Sequence, residues 1–134
     1  MKTLVYLFIF TTAFFAISQE LPALNNYEPS LYGAGNQNWM VSESEDHFIY
    51  VANNKGLLEY DGSHWTLYKT PNESIMRSVK AQGDRVYTGC YMDFGYWLRD
   101  DTGQLNYTSI VKDSDFKLQE DEQFWNIIVK NDYV

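Results

Sequence analysis

The stretch Gly56-Leu57-Leu58-Glu59-Tyr60-Asp61-Gly62-Ser63-His64-Trp65-Thr66-Leu67-Tyr68 decides the fold. Asp61-Gly62 supplies a turn, because glycine takes φ > 0 at no steric cost and aspartate tolerates it. On either side Leu58 and Tyr60, then Trp65 and Leu67, alternate with smaller or polar neighbours. That period of two predicts a half-buried antiparallel hairpin. A weaker copy follows, and a repeated hairpin unit marks a β-propeller.

Working outward, strands are predicted over 39–42, 48–52, 57–60 and 65–68, joined by turns at 43–47, Asn53-Asn54-Lys55-Gly56 and Asp61-Gly62. Four strands in a meander make one blade. A second set follows over 78–81, 85–90, 95–99 and 105–110, with turns at Gln82-Gly83-Asp84, 91–94 and 100–103. Val41 matches Val79 at an offset of 38, Ile49 matches Val86 at 37, Leu58 matches Tyr96 at 38 and Leu67 matches Tyr107 at 40. Repeats of about 40 residues fit propeller blades. A third copy is predicted to start as a strand at Phe124-Trp125-Asn126-Ile127-Ile128-Val129, with Trp125 standing for Trp39. Lys130-Asn131-Asp132 then turns, and Tyr133-Val134 begins the next strand. No segment has a helical period. The fold expected is therefore all-β, a partial β-propeller of about two and a half blades over 37–134, with 19–36 as a lead-in.

Residues 1–18 read as a secretory signal. Lys2 gives a positive start, an apolar run from Leu4 to Ile17 is broken only by Thr11 and Thr12, and Ala16-Ile17-Ser18 places small residues before a cleavage point. The run is too short for an anchor, since a bilayer needs about 20 apolar residues. The mature chain would begin at Gln19 and be exported. Its formal charge moves from −8 to −9 on loss of Lys2. With no Lys/Arg cluster it lacks the basic footprint that nucleic acid requires. Cys90 stands alone, so no internal disulfide is available and stability must come from burial. In the strand around it, Cys90 reads as a small buried hydrophobe.

A blade has apolar residues on both faces. Leaving one terminal face of roughly 400 Å² in water forfeits on the order of 10 kcal/mol. That rivals the stability of a small domain. The 134 residues are therefore expected to be the N-terminal piece of a longer protein, and marginal or aggregation-prone alone.

The string Gly56-Leu57-Leu58-Glu59-Tyr60-Asp61-Gly62-x-x-Trp65-Thr66-x-Tyr68 resembles the repeat of the two-component regulator propeller. The lead-in Gly35-Asn36-Gln37-Asn38-Trp39-Met40-Val41 and the segments 48–54, 77–83 and 84–97 resemble the same sensors. The likeness spans about 21–134. The second blade departs from the motif, with Leu98-Arg99-Asp100-Asp101-Thr102-Gly103 where Tyr60-Asp61-Gly62 stood. The resemblance implies a large Bacteroidetes sensor. Its periplasmic propeller would be followed by further blades, a β-sandwich domain, one membrane helix and a cytoplasmic output. That output would be a LuxR-type helix-turn-helix or a histidine kinase, and a dimer of the full-length protein is compatible with it.

No motif for catalysis stands out, and no cofactor or metal is expected. His47 and His64 sit in turns without metal-ligand spacing. Asp113-Ser114-Asp115 fails as a calcium loop, because Lys117 and Leu118 stand where oxygen ligands or glycine are needed. Glu120-Asp121-Glu122 reads as a solvated run, and Asn72-Glu73-Ser74 and Asn106-Tyr107-Thr108 as chance glycosylation triplets. Binding is expected at one mouth of the ring, from Asn53, Asn54, Arg77, Tyr91 and Asp93. Tyr and Trp rings stack on sugars while Asn and Asp bond hydroxyls, so a carbohydrate or another small ligand would suit them. The function expected is ligand sensing without catalysis. A secreted polysaccharide-degrading propeller and a protein-binding scaffold are the alternatives.

Overall fold

The computed structural model describes residues 21–115, 117–130 and 133. The signal reading over 1–18 and the start at Gln19 lie outside them, as do Asn131, Asp132 and Val134.

Two four-stranded antiparallel meanders make up the fold. Strands β1 (Asn38–Glu43), β2 (Ile49–Asn53), β3 (Gly56–Tyr60) and β4 (Trp65–Tyr68) form the first sheet in that order. β5 (Met76–Gln82), β6 (Arg85–Cys90), β7 (Asp93–Arg99) and β8 (Leu105–Ser109) form the second. Each is a blade of the predicted kind, and together they are an all-β, partial propeller-like array. Among the described residues two single-turn helices accompany them, α1 (Pro29–Tyr32) and α2 (Ile110–Asp113). A helix of four residues leaves no period to read. Ile110 belongs to α2, not to a strand, because the Ser109 hydroxyl caps that turn by accepting from Lys112 N at 3.1 Å.

The ladders correct part of the repeat alignment. Asn53 pairs with Gly56 in the first sheet, and Cys90 with Asp93 in the second. Leu58 therefore corresponds to Gly95, not Tyr96. Leu58 pairs with Leu67 and Gly95 with Ser109, so Leu67 corresponds to Ser109 and not to Tyr107. The matches Val41–Val79 and Ile49–Val86 agree with the ladders. Hydrophobicity misled where Gly95 replaced a large residue. A Cβ there would lie 2.1 Å from Thr108 O and 2.8 Å from the Tyr107 ring. Only glycine lets Tyr107 lie close, 5.0 Å from Trp97 between ring centroids.

β3 is buried on both faces, not one. Leu57 joins Tyr50 and Ala52 against Val79, Ala81, Val86, Trp97 and Leu105 of the second sheet. The opposite face, with Val51 and Leu58, packs on Tyr32 of the lead-in. The Tyr27 and Tyr32 rings lie 5.4 and 5.8 Å from Trp65. Across the seam, β1 and β5 run side by side. Ala81 N donates to Ser42 Oγ at 3.0 Å. Arg99 reaches back over the same seam to the buried Glu59 carboxylate and, at 3.1 Å, to Tyr50 Oη. Burial first, and then the Glu59 charge, push the Tyr50 phenol up to about 12.

The predicted third strand does not form. Residues 124–129 have no ladder, because no neighbouring strand lies beside them among the described residues. The segment instead docks on the second sheet. Phe124 N donates to Cys90 O at 3.4 Å, and Ser78 Oγ donates to Phe124 O at 2.7 Å. Lys130 and Tyr133 pair with each other as an isolated bridge.

Candidate functional site

The first strand of each sheet carries a register shift, between Asn38 and Met40 in β1 and between Met76 and Ser78 in β5. The extra residues are Trp39 and Arg77. A bulge bends the strand and turns the extra side chain off the ladder. Both side chains thereby leave their sheets at the same end of the seam and meet. The Arg77 guanidinium carbon lies 4.3 Å from the Trp39 ring centroid and 4.5 Å from that of Trp125. The two indoles meet edge to face, 5.7 Å apart at 83°. The cation sits in the corner of two near-perpendicular indoles and is held by their quadrupoles.

Amides fix this stack. Trp39 Nε1 donates to Asn54 Oδ1 at 2.7 Å, and Asn54 Nδ2 donates to Gln37 Oε1 at 2.6 Å. Arg77 Nε donates to Gln123 Oε1 at 2.9 Å, while Nη1 is buried without an acceptor. Trp39 and Trp125 remain 41% and 48% exposed. Beside the stack lies a hollow of about 310 Å³, lined by Glu73, Ser74, Ile75, Arg77, Tyr91 and Gln123. The Tyr91 hydroxyl donates to Asp121 Oδ1 at 2.8 Å. That carboxylate raises the Tyr91 phenol above its ordinary value, since it opposes a second negative charge.

Of the residues predicted to bind, Arg77 and Asn54 are joined through Trp39, and Tyr91 stands across the hollow. Asn53 and Asp93 face inward. Asn53 is fully buried, accepting from Gly35 N and Lys55 N at 3.0 and 2.9 Å and donating to Gly35 O and Asn38 Oδ1, both at 2.7 Å. It fastens the β2–β3 turn to the lead-in. Asp93, 6% exposed, accepts from Ser109 Oγ at 2.6 Å and ties β7 to β8. Both are the last paired residues of their hairpins. The turns proper are Asn54-Lys55 and Tyr91-Met92. Gln37, Trp39, Gln123 and Trp125 were missed as site residues. The available signal was the alignment of Trp39 with Trp125 at strand starts, which said nothing of a bulge.

The two histidines and Cys90 stand outside this cluster. His47 and His64 are 87% and 80% exposed, each beside a carboxylate in its own turn. The buried Cys90 thiol is pushed up to about 11, mainly by burial. Among the described residues no three His, Cys, Asp or Glu side chains converge as a metal group, and no helix is long and apolar enough to cross a membrane. The chain matches no family model, no curated protein and no solved structure. What the cluster can do chemically is bind. It offers apolar indole surface, one guanidinium and amides within a few ångströms of each other.

Proposed function

We propose that this chain is the exported start of a ligand-sensing β-propeller in a longer, membrane-anchored signalling protein, and that its ring mouth binds a carbohydrate without turning it over. The stack of Trp39, Arg77 and Trp125 carries the reading. Exposed indoles beside amide donors and acceptors suit the alternating apolar and hydroxyl faces of a sugar. The placement at bulges supports it, because the same strand position in successive blades would point at the same mouth.

Val41 supports the longer protein. Val79, its counterpart one blade on, is 1% exposed against the first sheet, whereas Val41 is 61% exposed. A further sheet on that face would give the first blade the seam that the second already has. The resemblance to two-component regulator propellers supplies the signalling role, periplasmic setting and DNA-binding or kinase output. In that scheme a ligand shifts the propeller against the following domain by the difference in its affinity for two states.

The test is titration of the full-length protein with oligosaccharides, read by tryptophan fluorescence. Saturable binding that weakens about tenfold in Trp39→Ala, with an unchanged melting temperature, is expected. Absence of saturation across the sugars, or steady turnover of any of them, would contradict the proposal.

A further inference from the structure

We infer that the Arg77 site takes an acidic sugar, a uronate whose carboxylate bonds the guanidinium edge while its ring rests on the exposed indoles. The inference rests on the carbohydrate reading above. It starts from an asymmetry among the three arginines of the chain. Arg99 lies over Phe48 at 4.8 Å and is paired with the Glu59 carboxylate. Arg85 has Asp84 at 4.0 Å. Arg77 alone has no carboxylate within ion-pair distance among the described residues. It is also the one that lies over two indole rings, in the corner their planes make.

The guanidinium carries its N–H donors along its edge, and an oxygen ligand meets it there. Along that edge Nε meets a neutral amide, and Nη1 has no acceptor. A buried guanidinium N–H without a partner is costly, and an anionic oxygen is its strongest partner. A carboxylate is planar and matches the guanidinium fork with two parallel bonds. The hollow beside Arg77 is where it would enter. Glu73 lines that hollow, and Asp121 is held next to it by Tyr91. Those charges repel a doubly charged phosphate more than a singly charged carboxylate. The half-exposed Trp39 and Trp125 then offer the sugar ring its apolar platform.

The experiment titrates the full-length protein with galacturonate and glucuronate oligomers and with the neutral oligomers of the same linkage. Tryptophan fluorescence reports binding. The acidic sugars should bind about tenfold or more tightly than the neutral ones, and salt should erode the advantage. Arg77→Lys keeps the charge but loses the fork. It should bring the affinity ratio of acidic to neutral sugars close to one, whatever it does to the affinity for either class alone. Equal affinity for acidic and neutral sugars overturns the inference and leaves the carbohydrate reading standing. An advantage that survives Arg77→Lys in a folded variant overturns it too. Binding of neither class overturns both. The comparison of sugars on the unaltered protein, with its salt dependence, decides the matter even if the variant does not fold.

Discussion

Asn53 and Glu59 are polar side chains spent on holding the sheets, and each makes a sharp prediction. Asn53→Ala would strip partners from two backbone N–H groups and one carbonyl at a part-buried turn. A loss of about 2–3 kcal/mol in urea unfolding is expected. A loss under about 0.5 kcal/mol would show that water replaces the amide. Arg99→Leu would leave the Glu59 carboxylate buried without its cation, at a cost of about 3 kcal/mol; Glu59→Gln in the same background should recover part of it. Cys90 offers a pH test. Its thiol has a folded value of about 11 against an ordinary 9.0, so the unfolded thiol ionises first. Stability from this group is intact below pH 9 and is lost as pH climbs from 9 toward 11. At pH 9 iodoacetamide should modify the folded protein at least about tenfold more slowly than the urea-unfolded chain, because the thiolate is the nucleophile. Equal rates would contradict the burial. Sequence alone suggested the buried thiol, since Cys in an apolar strand has few other readings. It put Asn53 on the surface, because turn residues are polar whether they face water or the chain.

At the scale of elements, most strands and their order were legible. Alternation and Gly/Asp punctuation are local signals, and the eight strands fall within about two residues of where they place them. The Asp61-Gly62 turn is present as a four-residue loop closed by the pair Tyr60–Trp65, with Gly62 at φ +94° and Asp61 Oδ1 accepting from Ser63 N and His64 N. The bulges were not legible. A single added residue changes no composition, and it shows only when the partner strand is counted against it. Since Trp39 and Arg77 owe their direction to those bulges, the site was only half visible. Gly56 tests the hairpin itself. It sits at φ +138°, and a Cβ there would come 2.2 Å from Tyr68 O. Gly56→Ala should cost at least about 2 kcal/mol and raise amide exchange in β4; an effect under about 0.5 kcal/mol would mean the β3–β4 edge yields freely.

For the whole molecule, the two sheets stack with a mixed apolar and polar seam, and the first sheet repeats the second closely enough to compare face with face. Val41 and Val79 occupy the same place in successive blades, yet one is open and the other sealed. The lead-in covers Trp65 and Leu58 but leaves Val41 bare. Every functional step proposed above needs a ring mouth, and a ring needs a sheet over Val41. The direct measurement is the rate at which a maleimide labels Val41→Cys in the full-length protein, beside Val79→Cys and His47→Cys. If blades continue around a ring, position 41 reacts as slowly as position 79. Labelling at 41 as fast as at the open turn position 47 would contradict the propeller.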